Sequence, residues 1–152
     1  MKNFYKNNNL TSVINVSGFM TKIGASITNK KSTKAANDIF PYFVNINELQ
    51  ALASNTISKF LNTEAAVITA SAAAGLTESV ASMMTGNDLK KVFKLPNTTN
   101  MKNKILIQKG HLTNYGAEVK QGILLSGAKV LSCGLKNSCT KELLEKSLSK
   151  NK

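Results

Sequence analysis

The sequence lacks arginine and tryptophan, and it has one histidine, two cysteines and two prolines among its 152 residues. All 20 basic residues are therefore lysines, and they give the chain a net charge of +12. Nucleic-acid surfaces usually use arginine for bidentate contacts with bases and phosphates. The lysines are also scattered along the chain. A dedicated nucleic-acid-binding function is therefore disfavoured in spite of the charge.

Long apolar runs are also missing. A membrane-spanning helix needs about 20 consecutive apolar residues, and the chain has no such run. The basic first residues are followed by the polar run Asn7–Asn9, where a secretory signal would have its apolar core. Hydrophobic residues still make up 42% of the chain, which is enough to build a folded core. These features predict a cytoplasmic protein that does not cross a membrane.

The two cysteines, Cys133 and Cys139, lie near the end of the sequence. A zinc site needs about four ligands, and the only imidazole, that of His111, is far upstream of both thiols. We therefore predict no metal site and interpret the two cysteines as reduced thiols.

The spacing of apolar residues predicts a helix over residues 46–61, with Asn45 and Glu48 in a capping-box arrangement at its start. The pattern then alternates through a strand at 65–70, a helix at 72–84, a strand at 105–107, a helix at 114–126, a strand at 129–133 and a last helix capped by Thr140. This alternation predicts an α/β fold with a mostly parallel sheet.

The turn from the strand at 65–70 into the helix at 72–84 is the best local candidate for a binding site. Ser71, Ala72 and Ala73 have small side chains, so an anion can approach the free amide groups at the start of the helix. The hydroxyl of Ser71 adds one more donor. The same residues also suit a capped helix packed closely on a sheet, so the pattern alone leaves both readings open.

The second candidate is His111, which follows the strand at 105–107 and is expected at the same edge of the sheet as Ser71. An imidazole at this place can stack on a flat ring or move a proton. It can equally be a loop histidine held by a hydrogen bond. Paired carboxylates and a nucleophile with its base are not evident elsewhere in the sequence.

Several motifs resemble the selenocysteine-synthase-like family of pyridoxal-phosphate (PLP) enzymes. They read INVSGFMT at 14–21, FVNINELQ at 43–50 and TEAAVITASAAAGL at 63–76. Within that family, LPNTT at 95–99 and IQKGH at 107–111 are most similar to the D-glucosaminate-6-phosphate ammonia-lyase branch. The resemblance covers about residues 13–133.

The resemblance implies the aspartate-aminotransferase fold (fold type I) in a homo-oligomer. Residues 1–44 would form an N-terminal segment, and residues 45–152 would form part of the large PLP-binding domain, with the C-terminal remainder absent. By resemblance, Ser71, Ala72 and Ala73 hold the PLP phosphate, and His111 covers the cofactor ring.

The family's chemistry also needs a lysine that forms a Schiff base with PLP. That lysine lies downstream of the matched region in the family, and none of the 20 lysines here falls at a matching position. We therefore expect a chain with no catalytic residue of its own. It is either a truncated enzyme that is inactive alone or one part of a split enzyme that a C-terminal chain completes.

The resemblance implies a lyase or transferase that performs β-elimination or replacement on an amino-acid-like substrate. Loss of ammonia from an amino sugar acid and selenium transfer to seryl-tRNA are the two reactions it suggests. The alternative from another functional class is a small basic module that binds a phosphorylated ligand or RNA.

Overall fold

A computed structural model describes residues 2–150 of the chain, and its side chains from Phe4 onward. The chain forms two compact units, residues 1–49 and residues 50–152. The helices are α1 (Lys2–Asn7), α2 (Lys30–Ile39), α3 (Ile46–Leu61), α4 (Ala72–Thr85), α5 (Leu89–Lys94), α6 (Val119–Leu125) and α7 (Lys141–Lys150), and the strands are β1 (Lys104–Gln108) and β2 (Lys129–Cys133). Within residues 2–150, none of these helices is both long and apolar enough to cross a membrane.

The first unit has little core of its own. Its helix α2 begins at Asn29, whose side-chain oxygen accepts a hydrogen bond of 2.9 Å from the amide of Ser32. None of the described side chains from Phe4 to Leu49 is buried. Local capping and turn formation, rather than buried apolar contacts, therefore hold these elements.

Helix α3 spans the predicted residues, so that prediction is confirmed. The side-chain oxygen of Asn45 accepts a hydrogen bond of 3.0 Å from the amide of Asn47, as expected for an N-cap. The carboxylate of Glu48 accepts from the side-chain amide of Asn45 at 3.2 Å. In a standard capping box this carboxylate would meet the backbone amide instead.

The second unit is built around two parallel strands and the helices packed on them. Lys104 pairs with Lys129 and Gln108 with Cys133, and helix α6 makes the connection between the two strands. The predicted α/β arrangement with parallel strands is confirmed for this pair. The buried core comprises Val80, Met84, Ile123 and Ala128, and it is flanked by partly buried Ile105, Ile107 and Val130.

The strand predicted at residues 65–70 is absent, so that part of the sequence interpretation is wrong. Within residues 2–150 the sheet contains only β1 and β2. In this segment the backbone groups of Ala66 and Ile68 form hydrogen bonds with side chains of α3 instead of with a neighbouring strand. Val67 and Ile68 remain 67% and 51% exposed. A strand needs a backbone partner, and no described segment supplies one here.

Two further differences concern helix boundaries. Helix α6 begins at Val119 rather than at Asn114, because the side chain of Asn114 accepts from the Gly116 amide at 2.8 Å and closes a turn. Gly116 has a φ of +103° within that turn. Helix α5 was not predicted; the carboxylate of Asp88 caps it by accepting from the amide of Lys90 at 3.0 Å.

The LPNTT motif packs against the end of helix α6. The hydroxyl of Thr98, which is 7% exposed, donates to the carbonyl of Gly127 at 2.7 Å. Gly127 has a φ of +85°, and a β-carbon there would overlap the carbonyl oxygen of Pro96. This position therefore requires glycine for two separate reasons, backbone conformation and close approach.

Candidate anion-binding site

The start of helix α4 presents free backbone donors. Ser71 has an extended backbone (φ −164°, ψ 165°), and its hydroxyl oxygen accepts a hydrogen bond of 3.1 Å from the amide of Ala74. The amides of Ala72 and Ala73 have no acceptor among residues 2–150. The side chains of these three residues are exposed. Two open amides, a serine hydroxyl and the helix dipole together make this turn able to receive an anion.

Helix α3 holds the segment that leads into this turn. The side-chain amide of Gln50 donates to the carbonyl of Ile68 at 2.8 Å and accepts from the amide of Ile68 at 3.2 Å. One turn further along α3, the hydroxyl of Ser54 accepts from the amide of Ala66 at 3.1 Å. Residues four apart on a helix lie on the same face, and residues two apart on an extended chain lie on the same side of it. The side chains of Gln50 and Ser54 can therefore bond to Ile68 and Ala66 and take the place of a neighbouring strand.

Thr69 connects this segment to helix α4. Its hydroxyl donates to the carbonyl of Ser71 at 3.0 Å. A β-carbon placed at Gly75 would lie 3.2 Å from the Thr69 hydroxyl oxygen, which is closer than most side chains tolerate. Glycine at this position therefore lets the entering segment lie directly on the first turn of the helix.

Packing against α6 fixes the helix itself. The hydroxyl of Thr77 lies 2.7 Å from the carbonyl of Gly122 and 3.1 Å from that of Ala73. A β-carbon at Gly122 would lie 3.4 Å from a methyl group of Leu76. The hydrogen bond between Thr77 and Gly122 thus holds α4 against α6 and fixes the direction of the donors at the start of α4.

His111 lies at the carboxyl end of β1, in a short 3-10 turn formed by Lys109–His111. Its side chain is exposed and makes no hydrogen bond within residues 2–150. It lines a cavity of about 260 Å³ together with Gln108, Gly110 and residues 135–139. The predicted position after a strand is confirmed, and the imidazole is accessible to a ligand.

The structure does not bring the two predicted sites into contact. Ser71, Ala72 and Ala73 do not line the cavity at His111, and no hydrogen bond within residues 2–150 joins the two regions. Their assignment as cofactor-binding residues therefore stays a prediction. Within the same range, no three of the histidine, cysteine, aspartate and glutamate side chains form a group that could hold a metal ion.

Sequence reasoning missed the role of Gln50 and the proximity of the cysteines. Gln50 occupies a position on α3 that resembles an ordinary solvated helix residue, so the pattern contained no signal for its contacts with Ile68. Cys133 is the last residue of β2 and Cys139 lies in the loop that follows it, with their sulfur atoms 3.7 Å apart. Gly134, which follows Cys133, was the sequence feature that could have indicated this proximity, because glycine permits a tight turn between the two cysteines.

Comparison with known proteins gives two curated relatives, while no protein-family profile matches the sequence. The chain is 31% identical over 147 residues to the D-glucosaminate-6-phosphate ammonia lyase of Salmonella typhimurium, an alignment that covers 97% of this chain and 40% of the relative. It is 28% identical over 134 residues to the 5'-C-glycyluridine monooxygenase-decarboxylase of a Streptomyces species, covering 88% of this chain and 34% of the relative.

A solved structure agrees with the first of these relatives. The structure of a D-glucosaminate-6-phosphate ammonia-lyase superposes with a TM-score of 0.90 at 30% identity, over 97% of this chain and 40% of that one. The mixed α/β fold of this chain is thus that of a portion of a larger lyase structure. The chain spans about two fifths of the length of the Salmonella typhimurium relative and of this solved chain.

Proposed function

We propose that this chain is the N-terminal portion of a PLP-dependent lyase of the selenocysteine-synthase-like family. The observation that carries the proposal is the superposition of 97% of the chain on a D-glucosaminate-6-phosphate ammonia-lyase at 30% identity. The reaction proposed for the complete enzyme is elimination of ammonia from a phosphorylated amino sugar acid. The chain's own contribution is to bind and orient the cofactor.

The phosphate of the cofactor would bind at the start of helix α4. The amides of Ala72 and Ala73, which have no acceptor among the described residues, and the hydroxyl hydrogen of Ser71 are three donors on one short turn. Their small side chains leave room for a phosphate, and a dianion at a helix start is stabilised by the dipole. The donor set therefore fits this group.

His111 would contribute an accessible imidazole beside the cofactor ring. When bound, the cofactor withdraws electrons from the carbon next to the amino group, which is what an elimination of ammonia requires. The role proposed for His111 is to stack on the ring and limit its rotation. The imidazole is exposed and makes no hydrogen bond in the part of the chain that the structure describes, so it is free for such a contact.

The lysine that would carry the cofactor is proposed to come from outside these 152 residues. The matched relatives are about 2.5 times as long as this chain, since the alignment covers 40% of the first of them. A complementing C-terminal chain would supply the lysine and the small domain; the alternative partner is a further copy in a homo-oligomer. This chain alone is then expected to bind the cofactor weakly and to show no lyase activity.

The proposal can be tested by titrating the ¹⁵N-labelled full chain with pyridoxal phosphate and following each amide by NMR. We expect the resonances of Ala72 and Ala73 to shift with pyridoxal phosphate and with inorganic phosphate, because both supply the anion. Pyridoxal, which lacks the phosphate, is the matched control and should leave these two resonances in place.

Two other results would contradict the proposal. Shifts spread over many lysine-flanking amides that vanish with added salt would favour a general polyanion surface, the RNA-binding alternative. Equal shifts with pyridoxal and pyridoxal phosphate would show that the phosphate group does not contribute to binding at this turn.

A further inference from the structure

Cys133 and Cys139 form a pair of thiols outside the proposed anion site. Cys133 ends strand β2 and is 5% exposed, whereas Cys139 is half-buried. The two sulfur atoms lie 3.7 Å apart, which is van der Waals contact. These are the only two cysteines in the sequence, so neither has another disulfide partner within the chain.

The backbone between the two residues is folded to bring them together. The amide of Leu135 donates to the carbonyl of Ser138 at 2.7 Å and closes a tight loop. Gly134 has a φ of +75°, and a β-carbon there would lie 2.6 Å from the Cβ atom of Cys139. Glycine therefore provides both the left-handed backbone and the space that the second cysteine occupies.

From this geometry we propose that Cys133 and Cys139 are a site of reversible oxidation, forming an intramolecular disulfide by exchange with a small-molecule disulfide such as oxidised glutathione. The sulfur atoms need to approach by about 1.7 Å to reach disulfide bonding distance. The hydrogen bond between Leu135 and Ser138 already closes the loop, and the two sulfur atoms are in contact within it.

The exchange proceeds in two balanced steps. The Cys139 thiol, which is the more accessible, loses its proton to solvent, and its thiolate attacks one sulfur of oxidised glutathione and releases one glutathione thiolate. The Cys133 thiol then loses its proton, and its thiolate attacks the Cys139 sulfur and displaces the second glutathione. The two cysteines lose two electrons and two protons, and oxidised glutathione gains them.

The surroundings of Cys139 set the speed of the first step. Partial burial, and to a smaller extent the neighbouring Cys133, raises the pKa of the Cys139 thiol above its ordinary value. The reactive thiolate is thus a minor species at neutral pH, and the rate of exchange should increase as the pH rises towards that pKa.

Oxidation also has a structural consequence. Residues 135–139 form one wall of the cavity beside His111, and the Lys136 carbonyl packs against Gly110. A disulfide would tie this wall to the end of β2. We expect the amide of Leu135 to exchange more slowly with solvent deuterium in the oxidised chain, because the loop that shields it opens less often.

The test is to incubate the full chain with a defined ratio of oxidised to reduced glutathione and then digest it with trypsin after blocking free thiols. Cleavage after Lys136 separates the two cysteines, so the disulfide joins peptide 130–136 to peptide 137–141. We expect this linked pair, an intact mass lower by two hydrogen atoms, and reversal by dithiothreitol.

Variants provide the controls. In Cys133→Ser the second step is impossible, so a stable glutathione adduct should accumulate on Cys139 and the linked peptides should be lost. In Gly134→Ala the two thiols remain, but the added β-carbon displaces Cys139, so the yield of linked peptides should fall. Circular dichroism establishes that each variant is folded.

Three results would overturn the proposal. The first is a stable glutathione adduct on each cysteine of the wild-type chain. The second is a disulfide that joins the same cysteine of two copies of the chain. The third is that both thiols stay reduced with glutathione even though a small alkylating agent reacts with Cys139.

Discussion

Replacing Ala72 with proline removes one donor from the proposed anion site while leaving the helix in place. Ala72 is the first residue of α4, and its amide has no acceptor within residues 2–150. Proline is well tolerated at the first helical position because its missing N–H is not needed there. Ser71, the preceding residue, is already extended, as a residue before proline prefers to be.

The size of the effect follows from the type of hydrogen bond that is lost. A bond to a charged acceptor contributes about 1.5–3 kcal/mol, and the lower figure suits an exposed turn. A factor of ten in affinity corresponds to about 1.4 kcal/mol. We therefore expect the dissociation constant for phosphate to rise about tenfold in Ala72→Pro, while the free energy of unfolding changes by less than about 0.5 kcal/mol.

The assay is the amide-resolved NMR titration with inorganic phosphate, accompanied by urea unfolding of the same samples. Ala72→Gly is the matched control, because it keeps the amide and should bind phosphate as the wild-type chain does. A folded Ala72→Pro variant with unchanged phosphate affinity would refute the assignment of this amide to the site.

The remaining predictions concern stability and pH. Gly127→Ala should lower the free energy of unfolding by about 1–3 kcal/mol more than Gly116→Ala in urea melts. Both glycines have positive φ, but only at Gly127 would the new β-carbon overlap a carbonyl oxygen, so equal losses would contradict this packing. Hydrogen bonds from its own backbone amide and from the Thr140 hydroxyl lower the pKa of Glu142 below 4.5. The carboxylate's stabilisation of the start of α7 should therefore be present above about pH 4.5 and be lost as the pH falls through the lowered pKa. An NMR titration should show the Glu142 midpoint moving upward in Thr140→Ala, and an unchanged midpoint would exclude this hydrogen bond as the cause.

Elements whose determinants are local could be predicted from the sequence. Helix α3 has its cap at Asn45 and an apolar stripe of its own, and α4 begins at the Ser71 cap. The strands β1 and β2 are apolar runs with glycine near their ends, and their parallel pairing follows from the intervening helix. For the candidate site, this local signal was sufficient to predict the Ser71 turn as a source of free amides.

Features that depend on distant residues could not be predicted. The apolar run at 65–70 has the composition of a buried strand, but strand formation requires a backbone partner, and Gln50 and Ser54 provide side-chain partners instead. Nothing about an isolated glutamine indicates that its amide will bind both backbone groups of Ile68. The contact between the cysteine sulfur atoms likewise depends on the turn at Gly134.

Helix α5 was missed for a different reason. It has six residues in a lysine-rich stretch, so its apolar periodicity is too short to be recognised. The cap at Asp88, which accepts from the amides of Lys90 and Lys91, was the available signal. At this helix the cap carries more information than the hydrophobic spacing does.

Sequencing the transcript through the codon for Lys152 and several hundred bases beyond tests the central claim most directly. The account predicts that the coding sequence, in the same frame or in an adjacent one, continues with residues similar to the remaining part of the ammonia lyases. That continuation should include a lysine that follows a predicted strand. Unrelated sequence with no complementing frame would contradict the claim that this chain is part of a cofactor-dependent lyase.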